Sequence, residues 1–200
     1  MTSAEAASTV AAKFKPVSQS EFRGEHSLEF PPGAIHDVCA FCRDELGFDY
    51  LTDIAGVDHY GEEPRFELVY ELAILETGTH LRLKTRVSED DPVVVTVSDL
   101  WPTADWHERE AFDMYGVRFD GHPDLRRILM WEGYPYHPLR KDFPLEGKPS
   151  DVPEVAFTST APLAGGPFVT APTPGTTQVR EPRARRAGDP LPDKPFLAEP

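Results

Sequence analysis

The sequence predicts an α+β domain, a small and mostly antiparallel sheet packed with helices, followed by a long extended proline-rich tail. Three observations carry this. The runs "RFELVYELAIL" at 65–75 and "THLRLKTRVS" at 79–88 alternate apolar and polar residues with the period of two of half-buried strands. The run "AIHDVCAFCRDEL" at 34–46 instead repeats its apolar residues with helical period. After residue 150 neither period survives, and ten of the 21 prolines fall in the last fifty positions.

The elements follow in order. Residues 1–20 are expected to be a flexible N-terminal segment, residues 21–150 the ordered domain, and residues 151–200 the tail. "PPG" at 31–33 precedes a helix from Ala34 to Leu46, and Gly47 suits its left-handed C-terminal position. Ile35, Val38, Cys39, Cys42 and Leu46 form one buried stripe on that helix. "FDYLTDIAGVDHY" reads as a strand with an irregularity at Gly56.

The two alternating runs, joined through "ETG", make a hairpin with Phe66, Leu68, Tyr70, Leu72 and Ile74 on one face. Glu67 and Glu71 are expected across from Arg82, Lys84 and Arg86, a charge match of about 0.2–1 kcal/mol per pair that needs no ligand. "VVVTV" at 93–97 is a short strand by its β-branched content, while "SDLWP" after it fits a loop or a brief helix equally well.

Asp105 and Glu108 have capping-box spacing, and Gly116 is a natural stop for the helix between them. Glu108, Ala111, Phe112 and Tyr115 share one face of it, and Asp105 with Arg109 forms an acid-first i, i+4 pair. Val117 and Phe119 make a short extended step, and Gly121 a turn. Pro123 opens a further helix with Leu125, Ile128 and Leu129 inward and Arg126 and Arg127 outward.

Composition narrows the function. A formal net charge of −14 repels nucleic acid and anionic membranes, and the tail, with five basic and six acidic residues, carries almost none of it. No stretch approaches the roughly 18–20 apolar residues of a membrane span, and "MTSAEAASTVAAKFK" lacks the basic-then-apolar order of a secretory signal. The chain is therefore expected in the cytoplasm, meeting a membrane only through a partner. Cys39 and Cys42 are the only cysteines, best placed in the core and too few for the usual four thiolates of an iron–sulfur cluster. No GxGxxG, GxxxxGK[ST] or GxSxG motif is present.

The stretch "EREAFDMYGVRFDGHPDLRRIL" at 108–129 holds five acidic residues and four arginines. His107, Glu108, Glu110, Asp113 and His122 would be the donors of a metal-dependent hydrolase, but "HERE" is not HExxH and no matching second helix is evident. A capped, charge-laced helix accounts for the same residues. Arg126, Arg127, Arg140, Lys141 and Lys148 gather basic charge on an acidic body, as docking against a carboxylate-rich partner requires. The alternative is a solvated turn whose arginines pair with Asp124 or Asp142.

These runs, with "DLWPTADWH" before and "HPLRKDFPLEG" after, resemble the thirty-kilodalton subunit family of respiratory complex I, the C subunits of NADH-quinone oxidoreductase. "LTDIAGVDHY" and "FELVYEL" fit the same family, and the likeness covers residues 35–147. It implies an α+β subunit of the hydrophilic arm with no catalytic centre, metal or cofactor of its own, FMN and iron–sulfur clusters lying in partner subunits. Such a chain packs against the forty-nine-kilodalton (D) subunit, with the B and I subunits nearby, on the cytoplasmic side of the inner membrane. By resemblance, Glu108, Arg109, Glu110, Asp113, His122, Asp124, Arg126 and Arg127, with Gly116, Gly121 and Pro123, hold the fold and the subunit interface. Arg140 and Lys141 extend that interface on the basic-patch argument. An equivalent subunit of a membrane-bound hydrogenase or F420-type dehydrogenase, or a free-standing adaptor, are the alternatives.

Overall fold

The fold is described from a computed structural model, which describes residues 1–131 and 133–144. The chain divides into two units, residues 1–132 with 136–142 and residues 133–135 with 143–200, and every helix and strand named here belongs to the first. The tail at 151–200 and Lys148 lie outside the described residues.

Helix α1 spans Ser3–Phe14, β1 Ser18–Phe22, β2 Glu25–Phe30, α2 Ile35–Asp44, β3 Tyr50–Asp58, β4 Phe66–Ile74, β5 Thr79–Val87, β6 Val93–Val95, α3 Ala104–Tyr115 and β7 Arg118–Asp120. Five strands form one sheet in the order β1-β2-β5-β4-β3, antiparallel throughout except for the parallel pair β2 and β5. β6 and β7 form a separate parallel pair. The α+β class and the mostly antiparallel sheet are as the sequence predicts.

The hairpin has the expected register. Phe66, Leu68, Tyr70 and Leu72 of β4 are buried opposite Val87, Thr85, Leu83 and Leu81 of β5. On the other face Arg82 pairs with Glu71, and Lys84 and Arg86 pair with Glu67. α2 buries Ile35, Val38, Cys39 and Cys42 against this core, and both cysteines are free thiols. Burial pushes the Cys42 thiol up to about 12, so the pair behaves as apolar filling.

The N-terminal segment departs from expectation. Residues 3–14 are helical because Thr2 and Glu5 form a reciprocal capping box, Glu5 N–H donating to Thr2 Oγ1 at 3.2 Å and Thr2 N–H to Glu5 Oε2 at 2.8 Å. Ala6 and Val10 then seat fully in the core, and Phe14 packs edge-on against Phe41 of α2. The spacing 6, 10, 14 was a helical signal hidden by its small residues.

Three local expectations are corrected. The irregularity of β3 is a bulge between Leu51 and Asp53, whereas Gly56 pairs regularly with Leu68. Gly56 serves another purpose: a Cβ there would lie 2.5 Å from the Tyr115 ring, so α3 can pack against β3 only because this residue has no side chain. The N-cap of α3 is Thr103, which makes no side-chain cap bond, and Glu108 turns into the core instead of back to Asp105. No helix follows Pro123; residues 123–130 form a chain of turns and bends, and the main-chain donors of residues 128–130 are taken by Asp113 of α3. "SDLWP", for which loop and helix fitted equally, is a turn region.

Candidate functional site

Helix α3 lies along β3, with Thr103 Oγ1 3.5 Å from Leu51 O and His107 Nδ1 3.1 Å from Asp53 Oδ1. The rest of its surface organises the chain that follows. Asp105, Arg109 and Asp113 are spaced i, i+4, i+8 and therefore form one stripe. Along it lies the segment from His122 to Met130, which we term the strap.

At the first position His122 Nε2 sits 3.2 Å from Asp105 O and 3.1 Å from Asp105 Oδ1, with the imidazole fully buried. At the second, Arg109 Nε and Nη2 donate to the carbonyls of Arg126 and Arg127, each at 3.2 Å. This replaces the expected Asp105–Arg109 pair. At the third, Asp113 is fully buried and its Oδ2 accepts the main-chain N–H groups of Ile128, Leu129 and Met130 at 3.1, 2.7 and 2.8 Å. Arg127 Nη1 donates to Asp113 Oδ1 and to Asp113 O. A carboxylate that takes three successive N–H groups does for this turn what a helix would do, and it holds the segment out of helix.

The C-terminus of α3 is closed by the next segment. A helix leaves its last four carbonyls without intrahelical partners. Here Phe112 O accepts Gly116 N–H, Asp113 O accepts His137 Nδ1–H at 3.0 Å as well as Arg127, Met114 O accepts Leu139 N–H at 3.2 Å, and Tyr115 O accepts Arg140 Nε–H at 2.7 Å. Two arginines thus complement the negative end of the helix dipole. Burial holds the His137 imidazole below its ordinary range and lowers Arg140 as well, the nearby Arg65 adding to the latter. Gly116, at φ +80, leaves room for both side chains, since a Cβ there would lie 2.7 Å from each.

A third anchor joins the same region to the sheet. Arg65, 3% exposed, donates from Nε and Nη2 to the two oxygens of buried Asp58, each at 2.8 Å, and also reaches Glu89 and Asp142, both at 2.6 Å. Asp58 Oδ2 accepts Lys141 N–H at 2.7 Å. The Arg65 guanidinium holds Asp58 below its ordinary carboxylate range against the opposing effect of burial. "DHYGEEPR" holds Asp58 and Arg65, but nothing in it signalled the hub, because Glu89, Lys141 and Asp142 are far away in sequence.

Glu108 is a further buried carboxylate. Oε1 accepts Val97 N–H at 2.7 Å and Oε2 accepts Thr96 Oγ1–H at 2.5 Å, tying the chain after β6 to α3. Burial, assisted by Asp105 and Asp99, pushes Glu108 up to about 7.

The expected interface residues thus fall into two groups. Glu108, Arg109, Asp113, His122, Arg127 and Arg140 are turned into the domain and build it. Glu110, Asp124, Arg126 and Lys141 are exposed, with Arg126 paired to Asp124 at 2.7 Å. Arg127 does not point outward as the helical reading required, because the turn rolls it onto Asp113. Leu129, expected to point inward, is 62% exposed within the strap, and Trp106 of α3, which the sequence did not single out, is 68% exposed. Of the five donors of the hydrolase reading, His107 pairs with Asp53 and Asp113 with the strap, while Glu110 is exposed, and among the described residues no group of three or more His, Cys, Asp or Glu is set to hold a metal.

Residues 28–149 match the family model of the respiratory-chain NADH dehydrogenase 30 kDa subunit, more than half of the chain. The chain belongs to this family. Its relatives include a C subunit of NADH-quinone oxidoreductase from Rhizobium meliloti (strain 1021), 55% identical over 126 residues that cover 62% of this chain and 69% of that one. The corresponding C subunit from Roseiflexus castenholzii is 49% identical over 144 residues, 71% of this chain and 80% of the relative. Among solved structures, a trypsin-resistant fragment (1–134) of Nqo5 superposes with a TM-score of 0.55 at 32% identity, covering 61% of this chain and 98% of the fragment. A chain of the membrane-bound sulfane sulfur reductase, an archaeal respiratory membrane complex, reaches a TM-score of 0.62 at 28% identity over 71% of this chain and 85% of that chain. Within the described residues no helix is long and apolar enough to cross a membrane.

Proposed function

We propose that this chain is a non-redox scaffold subunit in the peripheral, hydrophilic arm of a proton-translocating NADH:quinone oxidoreductase. It packs there against the forty-nine-kilodalton (D) subunit, with the cluster-bearing B and I subunits nearby, on the cytoplasmic side of the inner membrane. It binds no cofactor itself; FMN and iron–sulfur clusters reside in its neighbours and carry electrons from NADH to quinone. The observation that carries this reading is the family match across residues 28–149.

The geometry supports it. The densest ionisable stretch of the chain spends its buried carboxylates on main-chain donors and arginines, which makes a rigid platform. The platform presents Trp106, Glu110, Arg126, Leu129 and Lys141 outward. Aromatic and arginine side chains on a fixed backbone are suited to anchoring a partner.

The test is native-size fractionation of detergent-solubilised membranes carrying a tagged copy of the chain, with mass spectrometry of co-migrating proteins. Co-migration with flavin- and cluster-bearing subunits in one large particle is expected. A small unaccompanied species would sink the proposal. The likeness to the sulfane sulfur reductase chain supports a second reading, the equivalent subunit of a related respiratory membrane complex. The same experiment distinguishes them, because an NADH-oxidising flavoprotein among the partners is required only by the first.

A further inference from the structure

Asp105, Glu108 and His122 meet where the strap begins. Asp124 N–H donates to His122 Nδ1 at 3.0 Å, so Nδ1 is the acceptor and the ring hydrogen sits on Nε2. That nitrogen faces Asp105 O at 3.2 Å, Asp105 Oδ1 at 3.1 Å and Glu108 Oε2 at 3.9 Å. Its hydrogen serves the main-chain carbonyl, which leaves Asp105 Oδ1 buried without a hydrogen-bond donor. Two carboxyl groups therefore converge on an imidazole whose tautomer brings no positive charge between them.

The other surroundings of Glu108 bring none either. Its two hydrogen-bond donors, Thr96 Oγ1 and Val97 N, are neutral. Asp99 approaches from the turn before α3, adding negative charge, and is itself paired with His36 of α2 at 3.0 Å. From α2 and β4 the nearby titratable groups are the Cys39 thiol and the Tyr70 phenol, both held neutral by burial. A second negative charge in this setting is opposed by burial and by its neighbours alike.

We infer that Asp105, Glu108 and His122 form a proton-dependent latch, in which a proton held on Glu108 keeps the turn at 96–98 and the start of the strap closed on α3. Thr96 Oγ1 can accept from a protonated Glu108 as readily as it donates to the carboxylate, so the closed form needs no rearrangement to hold the proton. Opening of the turn and strap hydrates Glu108 and lets it ionise at its ordinary value. The raised value near 7 in the closed form sets the window: closure is fully supported below the ordinary 4.5 and weakens as pH rises toward 7. The latch is a property of the chain itself and holds whether or not the chain docks in a respiratory complex.

The experiment is amide hydrogen exchange on the full chain between pH 5 and 8, corrected for the intrinsic pH dependence, comparing wild type with Glu108→Gln. The amides of Val97 and Asp124 report the turn and the ring directly. The ratio of wild-type to E108Q protection should fall with rising pH by up to about tenfold per unit below pH 7 and level off above it. A second variant, Asp105→Asn, removes one negative neighbour and should move the wild-type transition to lower pH. A protection ratio that does not change with pH, or a transition that Asp105→Asn leaves in place, overturns the latch.

Discussion

Arg127 contacts Asp113 twice, one guanidinium nitrogen donating both to its carboxylate and to its main-chain carbonyl, and the second carboxylate oxygen holds three successive N–H groups of the strap. Asp113 is fully buried, and this arrangement compensates its charge. Asp113→Asn removes the charge and turns an amide N–H₂ toward donors. It should destabilise the chain by about 3–5 kcal/mol, read as a shift in the urea midpoint. Exchange of the Ile128, Leu129 and Met130 amides should rise with it.

Arg126 and Arg127 should separate cleanly. Arg126 is exposed and pairs only with exposed Asp124 in the hydrogen bonds and ion pairs described, so Arg126→Glu should change the stability of the isolated chain by no more than about 0.5 kcal/mol. Arg127→Glu sets a second carboxylate against buried Asp113 and should unfold or severely loosen the strap. If the proposed docking uses this edge, R126E lowers the amount of assembled particle on native gels while the purified variant keeps its melting temperature. Normal assembly in R126E would place that edge away from the interface.

The Arg65 hub predicts the response to acid. The folded-state value of Asp58 is depressed by the Arg65 hydrogen bond, so its contribution is present above its ordinary 3.8 and is lost as pH falls below that. Asp142, depressed by the same arginine, adds to it. Urea unfolding between pH 2.5 and 6 should show stability falling on the acid side. Arg65→Met should flatten that slope while costing about 3–5 kcal/mol at pH 7, because it leaves Asp58 buried without its partner.

Gly56→Ala puts a methyl group 2.5 Å from two carbons of the Tyr115 ring. Overpacking of this kind costs about 1–3 kcal/mol. The double variant Gly56→Ala/Tyr115→Ala should lose less than the sum of the two single changes, since the ring that clashes is gone. Thermal melts of the four proteins measure the coupling.

Much of the sheet was legible because strand faces obey a strict period: Phe66, Leu68, Tyr70 and Leu72 are buried, and Glu67 and Glu71 meet the basic face of β5. The stripe of α2 was equally plain. Helix α1 was missed because alanine supplies little hydrophobic contrast, although the Thr2–Glu5 box was present in the sequence. The false helix after Pro123 failed for a different reason. Its apolar spacing was right, but its backbone donors had a stronger acceptor in Asp113, fifteen residues upstream of Ile128.

The sequence by itself determined the α+β class, the hairpin, the core cysteines and the family, because these rest on local period and on long runs of residue types in register. The tertiary structure alone decided what the charged residues do. A carboxylate or guanidinium reads the same in sequence whether it faces water or a buried partner, and the two differ by the cost of desolvation that only packing imposes. Glu108, Asp113, Arg127 and Arg140 are therefore builders of the fold, and the side chains left on the surface are those, such as Arg126 and Trp106, that the fold turns outward.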